Sequence, residues 1–357
     1  MKKSKISFSI LLCTLVISSC KKDNTPPGPS ANYGLTSTLA GSGSTGNADG
    51  TGTAASFNYP CGISLDAAGN LYVGDRFNHK VRKVTPAGVV TTFAGSGVVG
   101  GTDGTGAAAS FNHPWGTVVD GAGNVYVTEL YGQRIRKITP AGVVTTFAGS
   151  GVAGSADGTG TAATFNYPSG IVMDASGNLF VADEINNKIR KITSAGVVTT
   201  FAGSGVAGAA DGTGTAATLS FPVGLAIDAS GNLYVGEEGN DNIRKITPTG
   251  VVTTFAGTGS EGAVDGVGTA ASFRNPWGVG VDASGNVYVG DTYNSKIRKI
   301  TPAGVVTTFV GTGIPGGTEG IGTLAQVSFP VGIAFNSSGD MYVAEENGHR
   351  IRKIIAH

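Results

Sequence analysis

Apolar positions in this chain come in short alternating runs separated by turns rich in glycine. Residues 276–311 show the pattern clearly. Period-two alternation predicts strands over 278–282, 286–290, 296–301 and 305–310. Asp282-Ala-Ser-Gly285 between the first two reads as a tight turn in which glycine supplies a positive φ. Pro302-Ala-Gly304 makes the next one. No segment sustains the 3.6-residue apolar period that a helix needs, which excludes helical solenoids.

The pattern repeats. Pro60, Pro114, Pro168, Pro222, Pro276 and Pro330 recur every 54 residues, each followed two positions on by Gly62, Gly116, Gly170, Gly224, Gly278 and Gly332. Four antiparallel strands per repeat, six times over, predict an all-β, six-bladed β-propeller. Gly34-Leu-Thr-Ser-Thr-Leu-Ala-Gly41 matches Gly88-Val-Val-Thr-Thr-Phe-Ala-Gly95, while the last repeat stops after its third strand at Ile351-Arg-Lys-Ile-Ile355. The N-terminal strand is therefore expected to complete the final blade and remove its open edge.

Blade one reads Pro60-Cys-Gly-Ile-Ser-Leu-Asp66, Gly69-Asn-Leu-Tyr-Val-Gly-Asp75 and Asn78-His-Lys-Val-Arg-Lys-Val84. These motifs resemble the NHL repeat, and the resemblance extends over residues 34–357. It implies a propeller of four-stranded antiparallel blades.

The first residues belong to a different kind of segment. Lys2, Lys3 and Lys5 precede an apolar stretch, Ile6 to Ile17, that is too short for a permanent membrane span. Ile17-Ser-Ser-Cys20 resembles the bacterial lipobox. The expected organisation is a lipoprotein signal peptide over 1–19, lipidation at Cys20, a Pro-rich tether over 20–33 and the propeller over 34–357. This implies a protein anchored in the cell envelope by its lipid, on the outer membrane facing the periplasm or at the cell surface. Once the leader is removed and Cys20 carries lipid, Cys61 stands alone, so no internal disulfide is expected. Net charge is zero and charged residues are only 13% of the chain, which gives no basis for nucleic-acid binding.

Function on a rigid scaffold concentrates in long loops. Here one face carries loops such as 149–168, and the opposite face has only tight turns. Asp49, Asp103, Asp157, Asp211 and Asp265, with Glu319 in the last loop, read as turn residues leading into a short helical segment whose Phe packs inward. Asp75, Glu129, Asp183, Glu237, Asp291 and Glu345 form a possible cation ring. Arg82, Arg136, Arg190, Arg244, Arg298 and Arg352, seven positions later, point instead to ion pairs that tie blades together. His79 and His349 share one repeat position and His113 precedes Pro114; no metal or cofactor is expected from them.

The informative positions are those where the copies differ. Trp115 and Trp277, the chain's only tryptophans, are three blades apart and so face each other across the axis. Cys61, Ser169, Val223 and Val331 occupy the same position in the other blades. Around them vary Arg76, Phe77, Leu130, Tyr131, Glu184, Ile185, Glu238, Arg274, Tyr293 and Glu346. Aromatics mixed with charges around a central depression suit a polar ligand, a peptide or a sugar; alternatively the tryptophans only fill space.

The leading expectation is a monomeric, non-catalytic binding module that presents its long-loop face to a protein or glycan. No catalytic residues are assigned, since there is no Gly-x-Ser-x-Gly elbow and no His-Glu-x-x-His. The alternatives are a propeller enzyme, metal-dependent and lactonase-like or lyase-like, with its site at the channel mouth, and a purely structural envelope component.

Overall fold

A computed structural model describes Met1 and residues 33–357. The expected signal peptide, Cys20 and the tether up to residue 32 lie outside the described residues. Six antiparallel sheets are arranged as blades around a central channel. In blade one the order from the axis outward is Pro60–Leu65, Leu71–Asp75, Lys80–Val84 and Val89–Ala94. A two-residue strand, Gly50–Thr51, then pairs with Val89 and Val90 on the outer edge.

Each blade thus has five strands, where the alternation pattern predicts four. The fifth is too short to show a period. It lies inside the long loop, which crosses to the outer edge of its own blade before turning inward. A single 3-10 turn follows, Gly52–Ala54, and then Phe57, which is fully buried. Phe111, Phe165, Leu219, Phe273 and Val327 occupy the equivalent sites.

The ring closes as the repeat implies. Leu35–Ala40 pairs with Arg350–Ile354 and with Gly320–Ile321, completing blade six. The seam between blades six and one is packed like the others. Tyr342, Ala344 and Ile351 meet Phe57, Ile63, Leu71 and Val73, just as Phe180, Ala182 and Ile189 meet Leu219, Leu225 and Val235. Tyr33, assigned to the tether, packs on Phe309 at 5.0 Å between ring centroids and accepts a hydrogen bond from Lys299 Nζ at 2.9 Å.

The glycine of Pro-x-Gly has a packing cause. A Cβ on Gly62 would come within 2.8 Å of the Trp115 carbonyl oxygen, on the next blade's innermost strand. The other five meet the neighbouring backbone in the same way. Innermost strands can therefore approach closely only without a side chain at this position. On the opposite face, Asp66 Oδ1 accepts hydrogen bonds from the N–H groups of Ala68 and Asn70, both at 2.9 Å, and holds the turn tight.

Candidate functional site

Two polar systems hold the long-loop face in place. In the first, each repeat arginine is fully buried, and in blades one to five it clamps two carboxylates. Arg82 donates to Asp75 and to Asp49, both at 2.7 Å, and also to the carbonyl oxygens of Ser56 and Ala48. Asp49 also accepts from the Thr92 hydroxyl at 3.2 Å. The inner carboxylates are ion-paired, as the repeat suggests. The connection they make, however, is from a blade's own strands to the long loop entering that blade, and not from blade to blade. The loop aspartates are likewise more than turn residues, since they are the arginine's second anchor in blades one to five. In blade six Glu319 leaves the arginine and accepts instead from the Thr38 N–H at 2.8 Å.

Burial pushes the inner carboxyls upward, against their arginines. Two rise to about 7: Glu129 and Glu345. The cause is local. In four blades an asparagine amide (Asn78, Asn186, Asn240 or Asn294) donates to the carboxylate at 2.8 Å. Blades two and six have Gly132 and Gly348 there, and Glu129 Oε2 and Glu345 Oε2 are buried without a hydrogen-bond partner.

The second system is a latch between blades. Tyr59, His113, Tyr167, Phe221, Asn275 and Phe329 each precede the repeat proline with φ between +47° and +61°. That conformation is costly for a bulky residue and persists where the surroundings hold it. Here the preceding blade does so at five of the six, Phe329 being the exception, where Ser295 Oγ makes no such bond. The N–H of Tyr167 donates to Gln133 Oε1 at 2.7 Å, that of Phe221 to Asn187 Oδ1 at 2.9 Å and that of Asn275 to Asp241 Oδ1 at 2.8 Å. His349 Nδ1 does the same for Tyr59 at 3.3 Å, and His79 Nδ1 for His113 at 3.4 Å. These histidines are acceptors, and burial lowers their pKa. His113 falls to about 4, through burial and then the nearby His79 and Arg76.

Inside these rings lies the channel mouth. The rings of Trp115 and Trp277 meet across the axis, 6.1 Å apart and tilted by 67°. Cys61, Leu130, Val223 and Val331 pack beneath and beside them, so the channel is plugged with apolar side chains. Above the plug, Arg76 lies 4.8 Å from the ring centres of both Trp115 and Phe77 and pairs with Glu346 at 2.8 Å. Trp277 Nε1–H donates to Glu238 Oε2 at 3.0 Å.

Two hollows flank this arrangement. The wider, about 590 Å³, is lined by Tyr59, Phe77, Trp277, Tyr293 and Phe329, with Arg76 and Glu346. The narrower, about 130 Å³, lies among Trp115, Trp277, Tyr131 and Tyr167, with Glu184 and Glu238 on its wall. Burial first, and then the Glu238 charge, raises Glu184 to about 8, with Arg76 opposing.

A model of the NHL repeat matches residues 165–192, 273–300 and 328–354. NHL repeat-containing protein 2 of Bos taurus is 31% identical over 296 residues, 71% of this chain and 40% of that protein. These findings support the NHL-repeat β-propeller family. Among solved structures, a structural genomics protein of unknown function from Bacteroides thetaiotaomicron superposes with a TM-score of 0.70 at 22% identity, over 90% of this chain and 75% of that one. An auxiliary nutrient binding protein from the same organism superposes at 0.67 with 17% identity, over 90% and 76%. At these identities the structural likeness shows the fold alone. The chain spans less than half the length of the curated relatives it matches.

Within the propeller scaffold, the variable positions divide cleanly. Arg76, Phe77, Trp115, Leu130, Tyr131, Glu184, Glu238, Trp277, Tyr293 and Glu346 converge on the two hollows. Arg274 lines neither. It is half-exposed at the rim, paired with Glu261 at 2.9 Å and 5.7 Å from the Tyr293 ring centre. The tryptophans do fill space, and they also wall the hollows; the two readings of them are not exclusive. Sequence reasoning missed Tyr59, Tyr167 and Phe329. Their signal was the residue before each repeat proline, which is Tyr or Phe in four of six blades: Tyr59, Tyr167, Phe221 and Phe329.

Proposed function

We propose that the protein is an exported, lipid-anchored binding module whose long-loop face receives a protein or glycan ligand at the channel mouth. One observation carries this reading. The hollow of about 590 Å³ has five aromatic side chains and one arginine–glutamate pair on its wall, held by a scaffold whose other polar groups are engaged in its own bracing. Aromatic faces with a few oriented polar groups suit a sugar ring or a peptide side chain. The same face carries the long loops, and the expected lipid at Cys20 would tether the propeller to the envelope. A nutrient-binding propeller among the structural neighbours is compatible with such a role.

Tyr293 and Phe77 are the rim residues to change, because they are 44% and 39% exposed and their removal leaves no core cavity. The Phe77→Ala/Tyr293→Ala variant should melt like the parent but lose a ligand found on a glycan array or in a pull-down from envelope extract. If the parent binds nothing in either assay, or the variant binds equally well, the site reading fails and a structural envelope role takes its place.

A further inference from the structure

We infer that the narrower hollow is a receptor for a small organic ammonium group, the cationic head of a ligand whose body lies in the wider hollow. The inference rests on the binding reading above and names the chemistry of one part of that site.

The geometry has three parts. First, the walls are aromatic on several sides. Trp115 and Trp277 stand 6.1 Å apart, and Tyr131 and Tyr167 stand edge to face at 5.0 Å. Ring faces attract a cation through their quadrupole, most strongly where water is excluded. Second, two carboxyl groups line the same small space, and neither is in an ion pair with the one cation that borders it. Arg76 is the nearby positive charge, and it is committed to Glu346 at 2.8 Å while stacking on Trp115 and Phe77. Glu238 is oriented by the indole N–H of Trp277 at 3.0 Å, and no hydrogen bond or ion pair reaches the Glu184 carboxylate among the described residues. Third, the space is small. About 130 Å³ admits an aminomethyl or methylated ammonium group, not a sugar ring. Trp277 and Arg76 border both hollows, so a ligand can pass from one to the other over the indole.

These positions lie outside the repeat's bracing. The residue after the inner carboxylate reads Arg76, Leu130, Glu184, Glu238, Thr292 and Glu346 around the ring. A structural role would favour one residue type at all six. Instead two of the three acids stand on blades three and four, across the mouth from the arginine of blade one, while the third, Glu346 of blade six, is paired with that arginine.

The test uses a charged and a neutral ligand of the same shape, benzylammonium and benzyl alcohol. Trp115 and Trp277 are the only tryptophans in the chain, so their emission reports on the two hollows, and Glu184→Gln assigns the response to the narrower one. In titrations of the protein across the millimolar range at about pH 8.5, above the Glu184 value of about 8 and below that of an alkylammonium, benzylammonium should bind about tenfold more tightly than benzyl alcohol. Glu184→Gln should remove most of that preference, with benzyl alcohol binding and the melting temperature unchanged. Equal affinity for the two ligands, a preference that survives Glu184→Gln, or no response of the emission to either would overturn the inference. The broader reading is judged separately: if benzyl alcohol binds equally and Phe77→Ala/Tyr293→Ala weakens both, the site stands and only its ammonium character is lost.

Discussion

The sharpest test of how this scaffold stores charge is a swap in blade two. Glu129 lacks the amide donor that Asn78 gives Asp75, and burial holds its carboxyl at about 7. The folded protein therefore keeps a proton on Glu129 between about pH 4.5 and 7, where the unfolded chain has released it. A carboxyl raised in this way contributes stability at low pH that is lost as pH rises through the window. The loss is about 3 kcal/mol by pH 8, taking about 1.4 kcal/mol for each pH unit of displacement. Gly132→Asn alone would crowd the site, because a Cβ there comes within 2.6 Å of the Glu129 side chain. Glu129→Asp/Gly132→Asn installs the blade-one residues; the shorter acid withdraws the carboxylate contact, and the turn must shift toward the blade-one backbone to clear the Cβ of residue 129. Urea unfolding from pH 5 to pH 8 should show the parent losing stability and the double variant losing less. The variant's gain at pH 8 should be about 1–3 kcal/mol, the worth of a restored hydrogen bond to a buried charge. Other groups titrate equally in both proteins and cancel in the difference. Parallel pH curves for the two would refute the argument that the missing amide is the cause.

Two further outcomes follow from the ring and its latch. Removing residues 33–41 deletes the Leu35–Ala40 strand and the buried Ala40 and exposes the edge of Arg350–Ile354, so the truncated protein should melt well below the parent; equal melting temperatures would show that the ring is not closed by this strand. His349→Gln keeps an acceptor for the Tyr59 N–H, as Gln133 does for Tyr167, and should be tolerated at pH 8, whereas His349→Leu strands that N–H and should cost about 1–3 kcal/mol. Because burial depresses the folded-state pKa of His349, its contribution is present above about pH 6.5 and lost as pH falls, so thermal melts at pH 5 should favour the Gln variant over the parent.

Much of this molecule is legible in its sequence, because the fold is a repeat. The spacing of Pro60 and its five equivalents, the orphan strand at Leu35–Ala40 and the alternation within each copy require six blades and a closed ring. The pairing of Asp75-type carboxylates with Arg82-type guanidiniums is also legible, since both recur in every copy. What the sequence could not show is how closely unlike copies meet. Trp115 and Trp277 are 162 positions apart, and only ring closure brings their indoles to 6.1 Å. Asp49 looked like a turn residue until the loop's path along the outer edge carried it to Arg82. His79 and His349 looked like ligands or scaffold; the left-handed backbone of His113 and Tyr59, a tertiary strain, makes them acceptors. Local pattern determines each blade because strand alternation is local. The mouth is decided by tertiary structure because it is assembled from one or two side chains of each blade, and their distances exist only once the ring has closed.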